Sequence, residues 1–213
     1  QRAAERRLKI EEFLMLAYDI AFLKADSAGM QQVAGQARAG TETASWISNR
    51  EAFAFAYSGR LRQANSMSQR AVAEARQTEQ PERAALWDAG AAVENAFFGR
   101  VSEARSMAAA ALALSHNREV SYGAALALAL SGDSRRAQAI AHELERMSPE
   151  DTSVQFSYLP VLRSRLALNQ GDPQKAIDLL RATAPFDLGM APSGVSGSFG
   201  ALYPIYIRGE AYL

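Results

Sequence analysis

The sequence predicts an all-α protein made of tandem antiparallel helical hairpins, and three observations carry that prediction. Alanine occurs 43 times in 213 residues, and alanine has the best intrinsic helix propensity. A Gly turn recurs four times with an alanine five residues on: Gly59 and Ala64, Gly99 and Ala104, Gly132 and Ala137, Gly171 and Ala176. Counting a weaker copy at Ala25-Asp26 before Met30, the intervals are 34 (25 to 59), 40 (59 to 99), 33 (99 to 132) and 39 (132 to 171) residues. One period near 34, with insertions of about six, accounts for all of them.

Each period holds two helix-length apolar patterns around its turn. In the third these are 122–130 and 135–147, the latter with Ala137, Ile140, Ala141 and Leu144 on one helical face. Glycine closes the first helix because it accepts the left-handed conformation without a Cβ clash. Asp133 and Asp172 suit the N-cap of the second helix, and Pro173 its first position, where a missing N–H costs nothing. The alanine five residues on is small because the two helices should touch there. Pro149 with Glu150-Asp151 marks a turn between repeats.

Between 186 and 199 lie Gly189, Gly194, Gly197, Pro192 and three serines, which cannot hold a regular helix and predict an inserted loop. The segment 203–213 predicts a further first helix, with Gly209 at its small position, that stops before its turn. Gln1 opens inside a charged helical pattern. Both ends read as those of a piece of a longer protein, with one continuous repeat domain over 1–213 and an incomplete last repeat.

Composition narrows the functions. Lys plus Arg and Asp plus Glu are 23 each, so the formal charge is zero and a broad phosphate-binding surface is not expected. There is no cysteine, which excludes disulfides, thiolate metal sites and a Cys nucleophile. The apolar runs 107–114 and 124–130 are far shorter than the roughly 20 residues that span a bilayer.

Motifs for chemistry are mostly missing. His142-Glu143 opens like a zinc-protease helix, but the second ligand position is Arg146. Ser196 has glycine after it, yet the flanking elbow glycine fails at Ser198, and no P-loop occurs. Glu143 and Glu145 lie on different helix faces, and Glu150-Asp151 reads as a turn and cap. The expectation is a non-enzyme with no catalytic residue, no metal site and no cofactor.

These residues resemble the tetratricopeptide repeat (TPR) family, whose 34-residue unit has small residues at its eighth and twentieth positions and a Gly-Asp-like turn between helices. Aligning the turn glycines puts Ala52, Ala92, Ala125 and Ser164 at the eighth position and Ala64, Ala104, Ala137 and Ala176 at the twentieth. Ala71 and Ala111 match the later small position, Leu144 and Thr183 depart from it, and Phe55 alone matches the first-helix aromatic. The segments 99–104, 122–129 and 204–213 also resemble the TPR-rich C-terminal regions of large bacterial proteins that begin with a Ser/Thr protein kinase domain. Similar regions follow winged-helix DNA-binding domains.

The resemblance implies a right-handed α-solenoid whose first helices line a concave groove. Its groove positions fall on Trp46, Asn49, Phe53 and Tyr57, on Phe97 and Tyr122, on Tyr158 and Arg165, and on Tyr203 and Tyr206. Trp87 and Phe98 are expected in the core. The Lys and Asn set that clamps a C-terminal carboxylate in chaperone-binding members is not reproduced, since Ala89 and Val93 follow Asn49. The implied function is non-catalytic binding of a protein or peptide as part of a bacterial signalling protein, without nucleic acid or membrane insertion. Ligand sensing for a kinase or winged-helix regulator, and a self-association scaffold forming a homo-oligomer, are the alternatives. The resemblance leaves cytoplasmic and extracytoplasmic placement both open.

Overall fold

A computed structural model describes residues 11–38, 43–187 and 202–213. These residues are helical throughout and sort into two compact units, Gln1–Trp87 and Asp88–Leu213, where the sequence predicts one continuous domain. The charged opening 1–10, and the predicted loop beyond residue 187, lie outside the described residues.

The first unit pairs α1 (Glu11–Leu23) with α2 (Ser27–Arg38) and α3 (Ala44–Tyr57) with α4 (Leu61–Gln77). Both helices of the first pair also pack on α3. Its core joins Met15 and Tyr18 of α1, Ala34 and Ala37 of α2 and Ile47 of α3. On α4, Ala64, Ser68, Ala71 and Ala75 recur every three or four residues and are all buried, a single inward stripe. The boundary between the units falls within helix α5 (Pro81–Phe97), whose residues up to Trp87 belong to the first unit and those from Asp88 to the second.

The second unit continues with α6 (Val101–Leu114), α7 (Arg118–Leu130) and α8 (Ser134–Met147). After them come α9 (Leu159–Asn169), α10 (Pro173–Leu180), a 3-10 turn (Arg181–Phe186) and α11 (Tyr203–Tyr212). Each helix from α6 to α11 packs on the next in sequence. Helix α7 also touches α9, so it is enclosed, and every residue from Val120 to Ala129 is buried. A stripe polar on one side would not survive there; the sequence supplies Ala and Leu all round.

The turns explain the pairing. At each of the four turn glycines φ lies between 71° and 77°. At Gly132 the following N–H, of Asp133, reaches the carbonyl of Leu128 at 2.8 Å, while the Gly132 N–H reaches Ala129 at 3.1 Å. This is the Schellman arrangement, and it repeats at the other three. The weak copy is real too: Ala25 adopts φ 54° and Asp26 donates to Ala21 at 2.9 Å. A sixth such end, at Glu79 with φ 56°, joins α4 to α5 without a glycine. Asp133 and Asp172 cap as expected, accepting from Arg136 and Lys175 backbone N–H groups at 3.3 and 3.0 Å.

The small residues sit where the helices touch. All eight residues at the aligned eighth and twentieth positions are buried. In the α9–α10 pair the contact is direct, because the Ser164 hydroxyl donates to the Ala176 carbonyl at 3.1 Å. One departure from the sequence reading precedes α9: a π-helical turn over Val154–Tyr158. Pro160 lacks an N–H and would break an α-helix here. The wider turn, in which Leu159 donates to the Val154 carbonyl five residues back, lets the chain pass the proline without ending the helix.

Candidate partner-binding site

The residues predicted to line a groove lie on α3, α5, α7, α9, α11 and the π turn. On α3, Trp46 is half-buried and edge-on to Trp87, with centroids 4.8 Å apart, and the Arg83 guanidinium lies 4.9 Å from its ring centre. Phe53 is half-buried. Asn49 is buried and offers no open surface, a correction to its placement in the groove. Tyr57, at the end of α3, is 82% exposed, and its ring meets that of Phe22 on α1 edge-on at 5.3 Å.

The predicted residues of the second unit are brought together as pairs. Phe97 stacks on Tyr203 at 5.8 Å and meets Tyr206 edge-on at 5.0 Å. Arg165 pairs with Glu210 at 2.8 Å, and the Tyr206 hydroxyl donates to the same carboxylate at 3.2 Å. Tyr122 and Tyr158 stack face to face at 3.9 Å. These two are only 2% and 4% exposed, so they form interior rather than an open groove. The reason is the chemistry of α7: with Gly123, Ala124 and Ala125 beside the ring, the neighbouring helices close in until the tyrosines meet. Trp87 is in the core as expected, whereas Phe98 is 46% exposed, because it follows the last residue of α5 and belongs to the turn.

Electrostatics reinforce this closed interior. The Tyr158 hydroxyl donates to Glu119 at 2.6 Å, and Arg118 links Glu119 at 2.7 Å to Asp151 at 2.5 Å. Burial first, and then the Glu119 carboxylate, pushes the Tyr158 phenol well above its ordinary value. Burial does the same to Tyr122. Tyr203 is pushed up to about 12 by burial and by Glu94. Burial pushes Glu94 up to about 7, against the opposing charge of Arg100. The phenols therefore stay protonated, while Glu94 exchanges its proton near neutral pH. Glu145 is held below the usual carboxylate range by its hydrogen bond to Arg163, and His142 is exposed on α8 beside Gln138.

A cleft lined by aromatic side chains opens in the first unit. Where the α1–α2 and α3–α4 turns come side by side, a cleft of about 660 Å³ opens, lined by Tyr18, Phe22, Glu51, Phe55, Tyr57 and Arg60 among others. The Arg60 guanidinium lies over the Phe55 ring at 4.6 Å from its centre. Glu51 is paired with Arg38 of α2. Of these, only Tyr57 was predicted as a site residue. The signal for the others is positional: Phe22 and Phe55 stand three and four residues before a turn residue, so their rings point where two adjacent hairpins end.

Among the described residues no group of His, Asp or Glu could hold a metal ion, and no helix is long and apolar enough to cross a membrane. Compared with protein-family profiles, curated proteins and solved structures, the chain matches none.

Proposed function

We propose that this chain is a non-catalytic interaction module, a right-handed stack of TPR-like helical hairpins that binds a protein or peptide segment for a larger bacterial signalling protein. The repeated Schellman turn and the buried small residues at matching positions support the repeat reading. The observation that carries the binding reading is Tyr57, a large ring left in solvent yet held by Phe22 at the mouth of an aromatic cleft. Rings fixed in this way bury much area on contact at little cost in rotamer freedom, which is why tyrosine leads interface hot spots.

The test is a peptide-display selection on the full chain, repeated on a Trp46→Ala/Phe53→Ala/Tyr57→Ala variant with unchanged helicity. Peptides enriched on the native chain and lost on the variant support the α3 surface as the binding site. Enrichment on both moves the site elsewhere in the molecule. No enrichment on either removes peptide binding from consideration. The cleft itself favours a second reading, in which a small molecule settles there and the module senses it.

A further inference from the structure

Helix α11 is held from two sides. Its buried residues Pro204, Ile207 and Ala211 recur every three or four positions, and the helix packs on α9 and α10. Its other edge reaches α5, where Tyr203 stacks on Phe97 and Tyr206 meets the same ring edge-on. Glu94 is half-buried and stands three residues before Phe97 on α5, so the two side chains are neighbours on the helix surface. Its charge acts on the Tyr203 phenol, which places the carboxyl beside the α5–α11 contact. A carboxylate packed beside stacked rings gives up water that it would otherwise bind, whereas the protonated form loses little.

We propose that the contact between α5 and α11 is a pH-sensitive clasp, closed while Glu94 carries a proton and loosened when Glu94 ionises and draws water between Phe97 and the two tyrosines. Burial, opposed by Arg100, pushes Glu94 up to about 7, so the change falls near neutral pH. The closed form holds its proton to higher pH than the open form does. It is therefore favoured in acid, loses ground as pH rises from the ordinary carboxyl value of 4.5 to about 7, and is level beyond. The charged neighbours leave Glu94 without a full counter-ion. Arg100 follows α5 and is paired with Glu103 of α6 at 2.6 Å. Arg165 of α9 is paired with Glu210 of α11 at 2.8 Å, and that carboxylate also accepts from Tyr206. Tyr122 of α7 and Tyr203 are held protonated by burial. The clasp governs the exposure of Phe97, Tyr203 and Tyr206, and it stands or falls independently of the peptide-binding reading.

The test is NMR on the full chain, with carbon labels in the Glu carboxyls and in the Phe and Tyr rings, titrated from about pH 4 to about pH 8. Two quantities are read: the carboxyl carbon shift of Glu94, and the proton cross-peaks between the Phe97 ring and those of Tyr203 and Tyr206. The expected result is that Glu94 titrates near neutral pH and that the cross-peaks fall by about threefold or more along the same curve. Glu94→Gln keeps the shape of the side chain and removes its proton exchange, so in that variant the cross-peaks persist unchanged to the end of the titration. The cross-peaks between Tyr122 and Tyr158, away from the clasp, stay constant in both proteins.

Titration of Glu94 at its ordinary value overturns the proposal, as do Phe97 cross-peaks that ignore pH in the native chain. Loss of those cross-peaks in Glu94→Gln as well would assign the loosening to another group. If the Tyr122–Tyr158 cross-peaks fade together with those of Phe97, the whole unit loosens and there is no clasp.

Discussion

The two units treat tyrosines at predicted groove positions differently. In the second, the tyrosines at groove positions of successive hairpins, Tyr122 and Tyr158, press against each other and vanish into the interior. In the first, the corresponding helix α3 ends in Tyr57, which stays in water with only the edge of Phe22 beside it. The residue type is the same, but the repeat position is not: Tyr57 stands near the end of its helix, close to the turn glycine, and Tyr122 and Tyr158 stand well before theirs. The neighbourhood differs too: small residues surround Tyr122 on α7, whereas Tyr57 stands one residue before a turn. Residue type alone therefore does not decide whether a tyrosine of a first helix is core or surface; its place along the helix and the packing around it do.

The sharpest way to break this contrast is to delete both rings. Tyr122→Ala empties a fully enclosed site and is expected to cost about 3–5 kcal/mol of stability, read by chemical denaturation. Equal costs for Tyr122→Ala and Tyr57→Ala would end the distinction between closed and open positions.

A smaller effect comes from Glu94 in the same closed interior. Its carboxyl holds a proton up to about pH 7 when folded, against an ordinary value of 4.5. Between those values the folded form binds more protons than the unfolded, so the second unit loses stability as pH rises from about 4.5 to about 7 and is level beyond. Glu94→Gln is expected to abolish that slope and to stabilise the protein by about 2–3 kcal/mol above pH 7. A pH–stability profile identical to that of the native chain would show that Glu94 is ordinary.

Turn chemistry sharpens the comparison further. Gly132 and Ala25 adopt the same left-handed conformation in different units, one with and one without a Cβ. Gly132→Ala is expected to cost about 1–2 kcal/mol, and Ala25→Gly to gain up to about 1 kcal/mol. Thermal melts of both variants should move in opposite directions. Smallest of all, Tyr57→Ala forfeits one exposed edge contact, for which we expect a loss of less than about 1 kcal/mol. Unchanged stability with lost peptide binding is the signature of a contact residue.

Much of the architecture is legible in the sequence because it rests on local chemistry. A glycine in the left-handed conformation, an aspartate capping the next helix and an alanine at the touching point are each visible as letters. The helix end at Glu79 is not, because a residue with a side chain adopts a conformation that no composition rule assigns to it. The π turn at Val154–Tyr158 has a visible cause, Pro160, but that proline reads equally as a helix start. The site is less legible than the fold. Groove positions follow from register, but the burial of Asn49, Tyr122 and Tyr158 depends on how closely neighbouring helices approach. The cleft needs Phe22 and Phe55 from different hairpins, more than thirty residues apart in sequence.

The edge-on pair of Trp46 and Trp87 has an optical consequence. They are the chain's two tryptophans, and both belong to the first unit. Selective excitation of indole therefore reports on that unit alone, and the contact between the rings makes the emission sensitive to any separation of α3 from the start of α5. The second unit carries no indole and answers through its tyrosines, among them the stacked Tyr122 and Tyr158. Indole emission thus follows the first half of the molecule by itself, without a label, whereas tyrosine, present in both halves as Tyr18 and Tyr57 in the first, reports on the two together.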